Sequence, residues 1–356
     1  MRAFVVAKDG TTDDLEGNRI FFSFQNFKEQ VCVKGSCFVC GAPHSRKKFN
    51  DEHVFPDWVI RRCGLQNSKF TLTNGELVPY TTYKIPCCQT CNTQLSAIYE
   101  TPISKAFHQG YEGLLKFMQD GNASLIKAWL SLIFLKVHLR DFKNKVVLDE
   151  RLKLGMIGDH YDLHELHHIH AVARAATAGV AINDNVFGTL AIFKIESSED
   201  DDGFDYCDSL TGRGLLLRIN DIALLHILDD CGGTAGMLSK RLEVLPHPLS
   251  QLQLREVYAH HIAANVHIRN RPVFRTEVPL GKQPQISVEL PDFELHEYDP
   301  SVFGSLFAGV IGTMIAHIVV DGAKGDEALE KIATGQVSFI FDENGNVRRE
   351  SSGRGH

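Results

Sequence analysis

The sequence lacks a secretory signal, an internal repeat and the polar composition of a disordered chain. The N-terminal segment 1–9 has too short an apolar core for a signal peptide, so export is not expected. Hydrophobic residues make up 44% of the chain and charged residues 23%, as in ordinary globular proteins. With 356 residues, the chain is long enough for two domains, each with its own core.

The cysteine pattern indicates metal binding in preference to disulfides. The chain has nine cysteines, an odd number, and four of them form two C-x-x-C pairs. In a chain with no export signal, such pairs favour metal ligation and a reducing compartment. We therefore expect a cytoplasmic protein.

Charge is divided unequally along the chain. Residues 1–150 contain 19 Lys and Arg against 15 Asp and Glu, a net charge of +4, whereas residues 151–356 contain 18 against 29, a net charge of −11, which together give the −7 of the whole chain. A basic N-terminal part beside an acidic C-terminal part suggests that any polyanion binds at the N-terminal end.

One apolar run has the length of a membrane span. Val302–Val320 is 19 residues long and carries no formal charge. Against a span, it contains several glycines and His317, and its flanks, with Asp299 before and Asp321 after, carry no basic cluster. A buried helix gives the same pattern and is favoured, so no membrane is expected, although the run leaves both interpretations open.

The organisation of the chain can be outlined in four parts. These are a strand-like lead (1–30), a Cys-rich module (31–120), an α+β domain of unknown role (121–346) and a flexible tail (347–356). Apolar spacing predicts helices over Ser124–Asp141, Asp159–Ala178 and Leu249–His267, strands around Val186–Ile195 and Gly214–Leu228, and an acidic surface loop over Glu196–Asp205. Asn74-Gly75 predicts a hairpin turn within the Cys-rich module.

The two C-x-x-C pairs can supply four thiolates to one tetrahedral zinc ion. Cys37 and Cys40 form the first pair, and Cys88 and Cys91 form the second. Gly41 permits the tight turn that directs both sulfurs of the first pair inward. Cys87 is a competing thiol, but it lacks the x-x spacing to Cys91, whereas Cys32 and Cys63 have no partner at ligand spacing. We predict a structural Zn²⁺.

The segment between the pairs, residues 50–58, reads NDEHVFPDW. The order C-x-x-C, acidic-His-aliphatic-x-Pro, C-x-x-C-Asn resembles the zinc-containing branch of the HNH endonuclease family. The resemblance covers residues 37–100, under a fifth of the chain. It implies an α+β fold with an N-terminal zinc-stapled ββα-metal (HNH, treble-clef-like) module, followed by a larger α+β C-terminal domain.

The resemblance also implies roles for three residues. By position in the motif, His53 is the general base, while Glu52 and Asn92 are ligands of a catalytic divalent ion. A neutral imidazole can accept a proton from water near pH 7, and Mg²⁺ or Mn²⁺ can neutralise charge on the phosphoryl oxygens. Oxygen ligands suit that ion whereas thiolates suit zinc, so two metals with separate roles are implied.

Two positions depart from the family pattern. The last His of the family name is Asn92 here, whose amide oxygen can also bind a hard cation. Asn74 is the nearest candidate for the middle Asn, but it lies in the Asn-Gly turn and can be a turn former alone. Both interpretations remain open.

Two short basic runs flank the motif and are candidates for contacts with phosphates. They are Arg46, Lys47 and Lys48 before it, and Arg61 and Arg62 after it. Short basic runs are also common on solvated surfaces, so this role is a hypothesis.

A rival motif lies in the predicted helix 159–178. His164-Glu165-Leu166-His167-His168 fits H-E-x-x-H, the pattern of zinc proteases, although no third ligand follows at a recognisable spacing. With 17 histidines in the chain, a structural cluster is the simpler interpretation. His260 and His261 likewise read as structural.

Three functions therefore remain open. The first is a metal-dependent HNH endonuclease acting on nucleic acid, with DNA expected before RNA. HNH proteins with large extensions often resemble restriction or phage-defence effectors, and a homodimer would let two sites cut opposite strands. The second is a non-catalytic zinc module that binds nucleic acid or protein. The third is a zinc metalloprotease that uses His164 and His168.

Overall fold

The chain folds as two compact units that each combine helices with short strands. The computed structural model describes residues 3–196, 203–342 and 346–348. The first unit contains Met1–Val186 and Phe274–Val288, and the second contains Phe187–Val273 and Glu289–His356. The mixed α+β class that the sequence predicts is confirmed.

The α-helices of the described part have three to 19 residues, and the sixth and ninth along the chain are the longest. They are α1 (Phe24–Asn26), α2 (Asp57–Arg62), α3 (Gln89–Leu95), α4 (Thr101–His108), α5 (Gly110–Phe117), α6 (Ala123–Asp141), α7 (Leu163–Arg174), α8 (Gly233–Leu242), α9 (Gln251–His267), α10 (Pro300–Ile311) and α11 (Asp326–Ala333). Turns of π-helix at Phe27–Val33, Ser96–Glu100 and Met118–Asn122 extend or join them.

The strands of the described part have two to six residues. They are β1 (Phe4–Val6), β2 (Thr12–Asp14), β3 (Arg19–Phe21), β4 (Glu52–His53), β5 (Lys69–Thr71), β6 (Leu77–Pro79), β7 (Lys84–Ile85), β8 (Ala181–Ile182), β9 (Leu190–Lys194), β10 (Phe204–Ser209), β11 (Gly214–Ile219), β12 (Ile222–Ile227), β13 (Val273–Glu277), β14 (Gln285–Glu289), β15 (Val319–Val320) and β16 (Ala323–Lys324).

The first unit is organised around α6. Of its 19 residues, 13 are buried, and they lie on all sides of the helix, as expected for a helix with an apolar sequence all round. Around α6 lie α7, β7 and the π-helical turn Ser96–Glu100. Three small antiparallel sheets complete the N-terminal part, with orders β1-β2-β3, β4-β7 and β5-β6. Strand β14 pairs in parallel with β8, which joins the segment 274–288 to this unit.

The second unit contains an antiparallel sheet of order β10-β11-β12-β9. Every residue of β11 and β12 is buried, because these central strands carry apolar side chains on both faces. Helix α9 contributes to the same core, and it follows the cap residue Ser250, whose hydroxyl accepts a hydrogen bond from Gln253 N while Ser250 N donates to Gln253 Oε1. This reciprocal cap satisfies backbone donors that the first helical turn leaves free.

Most of the predicted elements are confirmed. The helices predicted over 124–141 and 249–267 correspond to α6 and α9, and the strands around 186–195 and 214–228 correspond to β9, β11 and β12. Helix α7 is shorter than predicted, because it begins after the cap Asp162, whose carboxylate accepts from His164 N. The Asn74-Gly75 hairpin is confirmed by the pairing of β5 with β6.

The division into units differs from the predicted domains. Helix α6 was expected to open the second domain, whereas it belongs to the first unit. Its contacts lie within the first unit: α6 packs against α7 and β7, and Tyr83 donates a hydrogen bond to Asp141 Oδ1 at 2.8 Å, with both groups buried. Residues 197–202 of the predicted acidic loop lie outside the described residues. The same holds for residues 349–356 of the predicted tail.

The apolar run Val302–Val320 forms three elements instead of one helix. Helix α10 ends at Ile311, a 3₁₀ segment spans Gly312–His317, and β15 follows. Twelve helical residues are too few to cross a bilayer core. The favoured interpretation holds for α10, where Phe303, Phe307 and Ile311 are buried in the core of the second unit.

One helical stretch, Gly110–Asp141, is long and apolar enough to cross a membrane by length and composition. It includes a kink at Gly121, where φ is 96°, and 67% of its most apolar window is buried inside the protein. Core helices of soluble proteins meet the same criteria, so the observation is weak evidence for a membrane.

Candidate metal centre

The four predicted cysteines come together at one point of the first unit. Their sulfur atoms all lie within 4.8 Å of one another, and the Sγ atoms of Cys40 and Cys88 are 3.9 Å apart. Two thiolates on a tetrahedral zinc ion, each about 2.3 Å from the metal, would be about 3.8 Å apart. Both the donor set and the spacing therefore fit Zn²⁺. Within residues 3–196, 203–342 and 346–348, no second group of three or more His, Cys, Asp or Glu side chains has metal-binding spacing.

Local backbone geometry explains why the sulfurs of the first pair converge. Gly41 has a φ of 72°, in the left-handed region, and donates to Cys37 O at 2.8 Å. Cys37 N in turn donates to Ala42 O at 2.9 Å, which closes the turn. A Cβ atom at Gly41 would lie 2.9 Å from the Phe22 ring, so both the φ and the space require glycine.

The second pair is positioned by the start of α3. Cys88 is the residue before the helix and Cys91 lies in its first turn, which places both sulfurs at the helix N-terminus. Cys88 N donates to Cys37 Sγ at 3.3 Å, and Lys47 Nζ lies 3.6 Å from Cys40 Sγ. These donors stabilise negative charge on sulfur, which zinc ligation needs.

The thiols of the cysteine centre shift one another's pKa values. Hydrogen bonds from the Cys40 thiol, and then from those of Cys87 and Cys91, lower the pKa of Cys37. The same contact with Cys37 raises the pKa of Cys40 to about 11. Cys87 is fully buried beside Cys37 but lies outside the group of four, in agreement with its spacing in the sequence. Burial raises the pKa of Cys32 to about 12, as expected for an ordinary buried thiol.

Helix α7 supports the first cysteine pair through its polar side chains. His170 Nε2 lies 2.6 Å from Phe38 O, and Arg174 Nε donates to Val39 O at 2.7 Å. Burial lowers the pKa of His170 well below its usual value, so the ring is neutral and its Nε2–H donates. Phe38 and Val39 are the two residues between Cys37 and Cys40, so α7 fixes the backbone of the turn.

The H-E-x-x-H histidines of α7 pack on aromatic rings. His164 stacks on Phe24 with ring centroids 3.8 Å apart, and His168 stacks on Phe274 at the same separation. His167 Nε2 lies 2.9 Å from Phe22 O. In the described part of the chain, this motif is not joined by a third side chain at metal-binding distance.

The predicted base His53 lies on a two-stranded sheet directly connected to the cysteine centre. Strand β4 pairs antiparallel with β7, with His53 opposite Lys84 and Glu52 opposite Ile85. Neighbouring residues of a strand point to opposite faces, and His53 is half-buried whereas Glu52 is buried. Burial, and then the charge of Lys84, lower the pKa of His53, so its imidazole is neutral at pH 7.

The Glu52 carboxylate is paired with a buried lysine of α6. Lys136 Nζ lies 2.9 Å from Glu52 Oε1, and the two side chains are 0% and 7% exposed. Lys136 Nζ also donates to His53 O at 2.7 Å. Beside them, burial raises the pKa of Glu100 to about 7. Sequence reasoning missed this role of Lys136; the available signal was a lysine flanked by apolar residues, Leu135 and Val137, within a predicted helix.

Asn92 lies on α3 and reaches back to β4. Its Nδ2 donates to Asp51 O at 2.9 Å, which leaves Oδ1 as the free end of the amide. Asn74, by contrast, is engaged in its turn: Oδ1 accepts from Glu76 N at 3.0 Å and Nδ2 donates to Lys145 O at 3.1 Å. These contacts agree with the turn-former interpretation of Asn74.

The predicted phosphate-binding residues divide into two places. Arg46 and Lys47 line an open groove of about 810 Å³ beside the cysteine centre, and His53 does not line it. Lys48 is exposed in the same run. On α2, Arg61 NH2 pairs with Asp57 at 2.7 Å, and Arg62 NH1 lies 3.4 Å from His108 Nδ1.

No family model, no curated protein and no solved structure matches this chain.

Proposed function

We propose that this chain is an endonuclease of the HNH class that hydrolyses phosphodiester bonds in nucleic acid. One observation carries the proposal: β4 pairs with β7, α3 follows β7 after three residues, and Asn92 of α3 donates a hydrogen bond to Asp51 O, just before the strand of His53. A ββα-metal site needs this order of elements, and the thiol cluster at the start of α3 supplies the treble-clef-like zinc staple. DNA is the first substrate to test, and the cytoplasm is the proposed compartment.

His53 is suited to the role of general base. Its lowered pKa keeps the imidazole neutral at pH 7, so it can accept a proton from an attacking water. Lys84 is its cross-strand neighbour, and directly opposed residues project from the same face of a sheet. Its ammonium group therefore adds positive charge where we place the scissile phosphate.

The two implied metals fit the site differently. The four thiols suit a structural Zn²⁺. Glu52 does not fit a hard catalytic cation, because its carboxylate is buried and balanced by Lys136. No step of the hydrolysis is therefore assigned to a cation on Glu52. The need for Mg²⁺ or Mn²⁺, with Asn92 as a ligand, stays a prediction from the resemblance.

A nicking assay tests the proposal. Supercoiled plasmid and labelled RNA are incubated with the full chain in Mg²⁺, Mn²⁺ or EDTA. Since general-base catalysis contributes about 10²–10⁴-fold, His53→Ala should lose at least about 100-fold in cleavage rate. His164→Ala is the matched control, because His164 is an exposed histidine stacked on Phe24, and it should cleave like the wild type. Absence of cleavage of both substrates by zinc-loaded wild type would overturn the proposal.

One observation favours a second function, a non-catalytic zinc module that binds nucleic acid. The side chain of Glu52, the acidic residue of the motif, points into the interior and forms an ion pair with Lys136. Salt-sensitive binding of DNA or RNA without cleavage in any divalent cation would select this alternative. Loss of that binding on changing Arg46 and Lys47 to Ala would place it at the groove beside the cysteine centre.

A further inference from the structure

The contact between α6 and the strand of His53 gives Lys136 a role of its own. We propose that Lys136 is a positioning residue that holds His53 in place, and that Glu52 anchors Lys136 instead of binding a divalent cation. The catalytic meaning of this inference rests on the proposed function, whereas the contacts it uses do not.

Lys136 makes two hydrogen bonds to adjacent residues of one short strand. Its Nζ donates to Glu52 Oε1 at 2.9 Å and to His53 O at 2.7 Å. Strand β4 has only two residues, and besides its pairing with β7 the Lys136 ammonium group contacts the backbone of His53 itself. The ammonium group therefore sets the position of the backbone that carries the imidazole.

Stability gives no reason for a lysine at this place. Lys136 is fully buried between Leu135 and Val137 in the most apolar part of α6. Removing an ammonium group and a carboxylate from water is costly, and apolar replacements of buried ion pairs are often neutral or stabilising. A methionine would pack in the same space, but it could not hold the carbonyl of His53. The hydrogen bond to that carbonyl is what the lysine adds.

The same geometry assigns Glu52 to the interior. Glu52 and His53 are consecutive in an extended strand, so their side chains leave on opposite faces. Glu52 is thus directed toward α6, away from the face that His53 shares with Lys84. A cation bound by Glu52 would have to displace Lys136 from a buried position.

Four variants of the full chain test the inference. Lys136→Met and Glu52→Gln each leave one buried charge without its opposite charge and can unfold the protein. The double variant Glu52→Gln/Lys136→Met removes both charges together and should fold with its zinc bound. Lys116→Met is the control. Lys116 lies on α5, the helix before α6, and makes an exposed ion pair with Asp120.

Four quantities are measured. They are kcat and KM for plasmid nicking, the Mg²⁺ concentration at half-maximal rate, and the NMR resonance of the His53 Cε1–H group, assigned by its loss in His53→Ala. We expect kcat of the double variant to fall about 10- to 100-fold with KM within about twofold, since a displacement of about 1 Å can cost this much. We also expect an unchanged Mg²⁺ midpoint in Glu52→Gln and in the double variant. The His53 resonance of the double variant should be shifted or broadened.

Other results would overturn the inference. Wild-type kcat and an unshifted His53 resonance in the double variant would remove the positioning role. A rise of tenfold or more in the Mg²⁺ midpoint of Glu52→Gln would make Glu52 a metal ligand. If the wild type has no nuclease activity, the proposed function fails by itself, and the His53 resonance alone still decides whether Lys136 positions this strand.

Discussion

The side-chain amide of Asn92 donates a hydrogen bond to the backbone carbonyl of Asp51 at 2.9 Å and so ties helix α3 to the residue before the strand that carries His53. The two residues are 41 positions apart, and Asn92 directly follows Cys91 of the cysteine centre. This contact uses the nitrogen of the amide. It therefore distinguishes asparagine from aspartate at this position.

Asn92→Asp should destabilise the first unit although it is nearly isosteric. The new carboxylate cannot donate to Asp51 O and would face it with a negative charge. We expect a loss of about 1–2 kcal/mol in the free energy of unfolding, measured by urea denaturation. Gln94→Glu is the matched control, because it makes the same chemical change at an exposed position of the same helix and should stay within about 0.5 kcal/mol. Equal stabilities of the two variants would contradict the prediction.

Loss of one cysteine of the centre should release the metal. Cys91→Ser replaces a thiolate with a poor zinc ligand, and structural zinc binding contributes about 10–16 kcal/mol in small zinc modules. We expect about one zinc per wild-type chain by elemental analysis and markedly less in the variant, with a lower melting temperature. Cys207→Ser changes a cysteine outside the group of four and should keep its zinc. Full zinc occupancy in Cys91→Ser would argue against this ligand set.

The cysteine centre could be predicted from the sequence because its geometry is local. Each C-x-x-C pair places two sulfurs within one turn, and Gly41 or the start of α3 supplies the required backbone. The hairpin at Asn74-Gly75 is local in the same way. A pattern within a few residues was therefore enough for these features.

The contacts that support the site could not be predicted, because they join distant parts of the chain. Lys136 and Glu52 are 84 residues apart, and Arg174 and Val39 are 135 apart. Apolar spacing correctly predicts that α6 is a helix. It does not indicate which buried carboxylate would meet the ammonium group, because that depends on tertiary packing.

Arg174 should be essential for stability of the first unit. Its guanidinium donates to Val39 O at 2.7 Å, Ile20 O at 2.5 Å and Arg19 O at 2.5 Å. Each of the three guanidinium nitrogens of Arg174 donates to a different carbonyl, whereas lysine has a single ammonium group. Arg174→Lys would therefore leave buried acceptors unpaired. We expect a loss of about 2–4 kcal/mol in urea unfolding. Arg151→Lys, at an exposed ion pair with Asp149, should be far less destabilising, and a similar loss of stability at both sites would refute the argument.

The second unit should lose stability in acid through His261. The ring is fully buried on α9, with Nδ1 2.9 Å from Val257 O, and burial lowers its pKa to about 4. Above pH about 6.5 the ring is neutral in both folded and unfolded chains, so it contributes no pH dependence there. Between pH 6.5 and 4, the unfolded chain binds a proton that the folded chain does not, and the free energy of unfolding falls by about 1.4 kcal/mol per pH unit.

His261→Gln removes this titration while keeping an amide that can donate to Val257 O. We expect wild type to lose about 2–3 kcal/mol more than His261→Gln between pH 7 and pH 4.5, from urea unfolding at each pH. His296→Gln is the control, because His296 is exposed and its replacement should leave the wild-type pH dependence intact. If wild type and His261→Gln lose stability in parallel as the pH falls, the folded ring accepts its proton as readily as the unfolded one, and burial of His261 does not oppose its charging.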